Sequence, residues 1–367
     1  MLGKIVNQLI LLTIPFLALI GCQSPIEFPQ PTSVIFPTQT ASPLPPTATA
    51  TLTATAILPS PTPTRTLAPF PAEALSESSR NVSGGNVKSS IDLVPLAINP
   101  NDHYYFSHPV PVDYLGERLP SSRYGNDQNA ENGAGHTGLD IGLDHGTPIL
   151  AAGIGEVIFS GYGLLTWPEN LEDPYGLSIV ILHDFGFDGR AIYTAYAHLS
   201  QAFVEEGDRV EREDEIGRSG DTGFSSGPHI HFEVRIDGNS HDNSRNPELW
   251  LVPPANEGVL VGTILTTFGH PVLGQSIKLT HLETGRIRWA YSYSMSHNIT
   301  GDDYYNENFV LGELTAGTYE IAVYYVTGVQ RLEVKIEVGQ TTYFAFNGRN
   351  GFDLDKPPLD LPPNLPN

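Results

Sequence analysis

From His229 to Ile236 the chain alternates without a break: Ile230, Phe232, Val234 and Ile236 fall on one parity, and His229, His231, Glu233 and Arg235 on the other. Only a β-strand sorts such a stretch into two faces, an apolar one for a core and a polar one for a site. Residues two apart on a strand lie about 6.6 Å apart along it, so both imidazoles project the same way. Similar short runs recur between Gly and Pro punctuation, as at Gly155-Glu156-Val157-Ile158-Phe159, at 177–182 and from Ala191 to His198. No segment sustains helical periodicity, and 36 Gly with 31 Pro favour turns over long helices. The expected fold class is mostly β.

A length of 367 residues leaves room for two ordinary domains and additional segments. Lys4 precedes an apolar run from Leu9 to Ile20 that is too short to span a bilayer, which takes about 20 apolar residues, so residues 1–21 read as a signal peptide. Leu19-Ile20-Gly21-Cys22 resembles the lipobox of bacterial lipoproteins. That resemblance implies acylation of Cys22 and a location outside the cytoplasm, anchored by lipid to the bacterial membrane and facing the cell wall. Residues 22–75 are rich in Pro, Thr, Ala and Ser with almost no charge, a composition that stays extended as a spacer.

After a transitional segment at 76–100, periodic structure fills 101–252. Beyond Pro253-Pro254 about seven candidate strands follow, from Val259-Leu260-Val261 to Tyr343-Phe344-Ala345-Phe346, and predict a small β-sandwich over 256–347. Gly262-Thr263-Ile264, His270-Pro271-Val272-Leu273-Gly274 and Leu314-Thr315-Ala316-Gly317-Thr318-Tyr319 resemble carboxypeptidase regulatory-like and Cna-B-like accessory domains. This sandwich reads equally well as a wall-polymer or partner-binding module and as a stabilising spacer. Trp289, Tyr291 and Tyr293 alternate as an aromatic face that either use explains. Residues 348–367 read as a disordered tail.

A formal charge of -22 argues against nucleic acid as a partner, since phosphate binding needs clustered Lys and Arg. With Cys22 the only cysteine, no intramolecular disulfide or Cys-rich zinc finger can form. Any metal must be held by His and carboxylates. Gly223-Phe224-Ser225-Ser226-Gly227 matches G-x-S-x-G, but that motif needs a helix after the serine, and here Pro228 and the alternating strand follow.

Two further segments complete a set. Gly135-His136-Thr137-Gly138-Leu139-Asp140 offers a histidine and a carboxylate, which a loop bent at Gly138 could converge, and Thr194-Ala195-Tyr196-Ala197-His198-Leu199 adds a third stretch. In this order, with Gly217-Arg218-Ser219-Gly220-Asp221-Thr222-Gly223 before the last strand, they resemble the lysostaphin/LytM-type zinc endopeptidases of peptidoglycan, across about Gly135 to Arg235. The resemblance implies a β-sheet, barrel-sandwich-like peptidase domain. It also implies one Zn²⁺ held by His136, Asp140 and His231, with His198 and His229 as the catalytic histidines.

The donor set suits that chemistry independently. Two neutral imidazoles and one carboxylate leave zinc a net positive charge and an open fourth position, the pattern of catalytic sites. There is no H-E-x-x-H, so a histidine must do the work of a glutamate base. His103, His108, His145, His183 and His241 are expected to be structural, while Tyr196 and Arg235 could line the groove. The loop at 164–174, with Trp167, is a candidate for shaping the substrate pocket. The expected reaction is hydrolysis of peptide bonds in peptidoglycan stem peptides or cross-bridges. The competing expectation is a non-catalytic cell-wall-binding or amidase-activating protein that keeps the fold; retention of every metal ligand favours catalysis.

Overall fold

The computed structural model describes residues 96–97, 102–115, 118, 120–126, 135–294 and 296–353. The expected signal peptide, Cys22 and the Pro/Thr-rich spacer lie outside the described residues, as do all of 76–100 except Leu96 and Ala97. Among the described residues no helix is long and apolar enough to cross a membrane.

Nine strands form the first sheet: β1 (Leu139–Gly142), β2 (Pro148–Leu150), β3 (Gly155–Gly161), β4 (Leu177–Phe187), β5 (Arg190–Ala202), β6 (Arg209–Val210), β7 (Glu215–Ser219), β8 (His229–Ile236) and β9 (Ser244–Arg245). Their order is β1-β8-β5-β4-β3-β6, with β7 joining β2 to β5 and β9 lying on β8. The alternation of 229–236 produces the expected strand, and Ile230, Phe232, Val234 and Ile236 are buried in the core. Antiparallel pairing sets Asp140 opposite His231 on one side of β8 and Ala197 opposite His231 on the other. The three sequence segments singled out above therefore sit on, or at the ends of, adjacent strands.

Strand β5 changes partner partway along. Its first part pairs with β8 as far as Ala197, and from Leu199 it pairs with β7. At the changeover two residues of β5 oppose one of β4, and His198 there has φ of 62°. Such a bulge re-aims a side chain that regular pleating would send elsewhere. Regular alternation would set Thr194, Tyr196 and His198 on one face, but Thr194 and Tyr196 point into the core, and the Tyr196 hydroxyl accepts from the Ala152 N–H. Tyr196 is thus a core residue and does not line a groove.

The remaining strands are β10 (Glu257–Leu265), β11 (Ser276–His281), β12 (Ile287–Tyr291), β13 (Phe309–Thr315), β14 (Gly317–Tyr325), β15 (Gly328–Ile336), β16 (Thr341–Asn347) and β17 (Gly351–Asp353). They make two four-stranded sheets, β13-β10-β16-β17 and β12-β11-β14-β15, packed face to face. The last strand corrects the expected tail: Phe352 pairs with Phe346 and packs on the sandwich core, so order extends at least to Asp353. The apolar edge that Phe344 and Phe346 present is what β17 covers.

Strand β10 is buried on both faces. Val259 and Val261 join the core of the nine-stranded sheet, while Leu260 and Ile264 join the sandwich core. Each such side chain contributes roughly 1.5–3 kcal/mol on burial, and the same strand spends it in two cores at once. Pro253-Pro254 therefore divides the sheets but not the hydrophobic interior. The aromatic face at 289–293 also splits. Trp289 is 43% exposed on the outer sheet, whereas β12 ends at Tyr291, and Tyr293 turns inward, where its hydroxyl donates to Glu307 and accepts from Asn246.

Candidate metal centre

His136, Asp140 and His231 converge. His136 Nε2 lies 3.0 Å from Asp140 Oδ1 and 3.1 Å from His231 Nδ1, and the third edge of the triangle is 2.8 Å. A tetrahedral zinc site with bonds near 2.0–2.1 Å has ligand–ligand edges of about 3.3 Å, so these three atoms need separate only slightly to receive the ion. Two imidazoles, one carboxylate and a side left free for a fourth ligand fit zinc.

Each ring nitrogen is assigned by its partner. The Nδ1–H of His136 donates to the Arg123 carbonyl at 3.1 Å, leaving Nε2 as the donor atom for a metal. His231 is turned the other way: its Nε2–H donates to Glu233 Oε1 at 2.9 Å, and Nδ1 faces the triangle. Carbonyl and carboxylate oxygens can only accept, so both tautomers are fixed, the arrangement expected where an acceptor behind a metal-binding histidine holds its ring in place. Gly138 is needed for close packing, since a Cβ there would overlap the His231 ring and the Phe232 carbonyl.

Glu233 is the residue that sequence reasoning passed over. Fully buried, it also accepts from Thr137 Oγ1 and Tyr175 OH on Oε1, and from Arg235 Nε at 2.6 Å on Oε2. Burial alone would raise its carboxyl, but Arg235 and His231 outweigh that and hold it far below the usual range. Its place on the polar parity of β8, two residues from His231, was the available signal. Arg235 is buried behind it and, with Tyr175, Leu165 and His241, lines a cavity of about 180 Å³ beside the site.

Electrostatics favours a cation in the triangle. Burial opposes charge on His231, yet the carboxylates of Asp140 and Glu233 raise its pKa to about 9. Burial likewise opposes ionisation of Asp140, and His136 and His231 overcome it to hold that carboxyl well below the ordinary value.

His198 and His229 stand beside the triangle with ring centroids 4.6 Å apart. The Nδ1–H of His198 donates to the Thr222 carbonyl at 2.8 Å and that of His229 to the Gly227 carbonyl at 2.8 Å. Both rings therefore keep an Nε2 lone pair, and that of His229 is 3.8 Å from Asp140 Oδ1. Burial, followed by repulsion from His231 and His229, lowers His198 to about 3, so its ring is neutral near pH 7. Ser225 Oγ donates to the Gly227 carbonyl, and a strand follows it, which removes the geometry a nucleophilic serine requires.

The other histidines of this part of the chain lie outside the ligand triangle. His103 pairs with Asp302, His108 reaches the Val252 carbonyl, and His183 bridges the Ile154 carbonyl and Thr194. His241 lies by Asp242, and His145 is exposed. The loop at 164–174 is tied to the buried Asp173, whose Oδ2 accepts from Leu165 N, Thr166 N and Thr166 Oγ1. That knot leaves Trp167 66% exposed at the loop's surface.

Residues 134–243 match the model of peptidase family M23. This stretch is an M23 peptidase domain. Among curated proteins, this chain is 36% identical over 106 residues to peptidoglycan DD-endopeptidase ShyA of Vibrio cholerae, covering 29% of this chain and 21% of that protein. DD-carboxypeptidase/endopeptidase Mpg of Neisseria meningitidis is 38% identical over 103 residues, covering 28% and 20%. Lysostaphin of Staphylococcus simulans is 29% identical over 161 residues, covering 44% and 30%. The chain thus spans between a fifth and a third of the length of these relatives. The crystallised catalytic domain of lysostaphin aligns with a TM-score of 0.30 at 30% identity, over 34% of this chain and 85% of that one.

Proposed function

We propose that this protein is a zinc-dependent endopeptidase that hydrolyses peptide bonds in peptidoglycan stem peptides or cross-bridges. The observation that carries the reading is the convergence of His136, Asp140 and His231 with two further histidines whose Nε2 lone pairs are kept free by backbone carbonyls. Similarity to relatives named as peptidoglycan endopeptidases supports the substrate class.

His136, Asp140 and His231 would hold the ion through Nε2, one carboxylate oxygen and Nδ1. Bound there, zinc supplies Lewis acidity toward the scissile carbonyl and lowers the pKa of water. The residues of the chain do the rest. His198 and His229 share two tasks: taking the proton from the attacking water at Nε2, and, once protonated, donating to the oxyanion or to the leaving amine. Glu233 takes the His231 Nε2–H and so turns Nδ1 toward the metal position. Trp167 and the cavity between Tyr175 and Arg235, both at the 164–174 loop, offer surfaces for the peptide.

Acylation at Cys22 and the 22–75 spacer would hold this activity outside the cytoplasm at the membrane, within reach of the wall. Mass spectrometry of the mature N-terminus tests that part, and an unmodified Cys22 removes it.

The test of the enzyme is direct. Wild type should bind one zinc per chain and release peptide fragments from purified peptidoglycan, identified by mass, while His231→Ala should do neither. Equal digestion by both proteins would defeat the proposal.

A further inference from the structure

The support of His136 comes from a distant part of the chain. Residues 123–126 lie along this ligand: Arg123 O takes the imidazole N–H, Gly125 N donates to His136 O at 2.8 Å, and His136 N donates to Asn126 O at 2.9 Å. The far side of that strip is bound by the connection between β12 and β13. Ser294 N donates to Gly125 O at 2.7 Å, and the Tyr124 hydroxyl accepts from Thr300 N at 3.0 Å.

Asn298, 2% exposed, grips the residue before the ligand at two points. Its Oδ1 accepts from Gly135 N at 3.3 Å and its Nδ2 donates to Gly135 O at 3.1 Å. Packing is equally close. A Cβ on Gly135 would overlap Ile299, and one on Gly125, whose φ is 76°, would overlap the Tyr293 ring. Glycine at both positions is what allows the sandwich to seat against the ligand-bearing loop.

We infer that the β12–β13 connection is a working part of the metal centre, with Asn298 as a positioning residue that holds His136 in its metal-binding orientation through Gly135. The inference rests on the metal-centre reading above. It makes the C-terminal sandwich neither a passive spacer nor, in this respect, a wall-binding module. A ligand whose backbone is loosened binds metal less well even when the protein stays folded, because ordering the loop is then charged to binding.

The experiment uses the full chain and two readouts: zinc affinity by competition with a chromophoric chelator, and the visible absorption of the Co²⁺-substituted protein, which reports ligand geometry. Asn298→Ala should raise the zinc dissociation constant by about tenfold and alter the cobalt bands. Val334→Ala, in the core of the outer sheet, should lower the melting temperature yet bind zinc as wild type does. A folded Asn298→Ala protein with a zinc constant within about twofold of wild type overturns the inference. Should that variant not fold, Ser296→Ala decides, since it removes only the hydroxyl that donates to Asn298 Oδ1. Weakened zinc binding then supports the role and an unchanged constant overturns it. Failure of wild type to bind zinc, with His231→Ala as reference, would sink the metal-centre reading instead.

Discussion

The two histidines proposed as zinc ligands are supported in opposite ways. His231 stands on a regular strand, and its partners Glu233 and Arg235 come from the same strand, with Tyr175 and Thr137 closing over them. His136 precedes its strand, and its orientation depends on a strip at 123–126 that is itself held by Ser294 and Thr300. His231 is positioned by local periodicity, and His136 by contacts spanning more than 160 residues. The proposed three-ligand site therefore has a rigid half and a half whose precision depends on the whole fold.

Substitutions should expose that asymmetry. The largest effect is expected at Glu233. Glu233→Gln leaves Arg235 as a buried unpaired charge, a defect worth about 3–5 kcal/mol. It also unfixes the His231 tautomer, so zinc affinity should fall by about 10–100-fold. Thermal unfolding and chelator competition measure the two losses, and a variant with wild-type affinity would mean that His231 needs no such partner.

Next comes catalysis without metal loss. His198→Ala should lower kcat by about 10²–10⁴-fold while zinc stoichiometry stays at one. Loss of zinc in that variant would move His198 into the ligand set.

A smaller effect is expected at a histidine buried in the nine-stranded sheet. His183 is buried and lowered to about 4, chiefly by burial. In the unfolded chain a histidine takes up its proton near pH 6.5, so between pH 6.5 and 4 only the unfolded state binds it. The associated stability is complete above about pH 6.5 and falls by about 3 kcal/mol as pH drops to 4. His183→Gln should flatten the melting temperature across that window; an unchanged slope would assign it to other groups.

The smallest effect is expected on the outer sheet. Trp289→Ala should change stability by less than about 0.5 kcal/mol, because the ring is only half covered, and should leave zinc binding untouched. A large drop in stability would mean that the stacking of Trp289 on Tyr324 matters to the sandwich.

What could be read from the chain follows the same division. Period-two alternation exposed β8, and with it both His229 and His231, because strand geometry converts parity directly into facing. Glu233 lay on the same parity and could have been named from it. The inward aim of His198 was hidden, since a bulge with positive φ at a histidine leaves no trace in a hydrophobic pattern. Asn298 had no local signal at all, because its role exists only after the sandwich has packed against residues 123–126 and 135–136. The tail was misread at 351–353, where Gly-rich sequence still pairs with β16 to cover exposed aromatic rings.

Strand β10 carries a consequence for how the molecule comes apart. A strand with no solvent side belongs to two interiors, so neither can melt while the other keeps its shape. Heating should give a single calorimetric peak for residues 102–353, and shortening the gene at the proline pair would strip the catalytic half of a wall it shares.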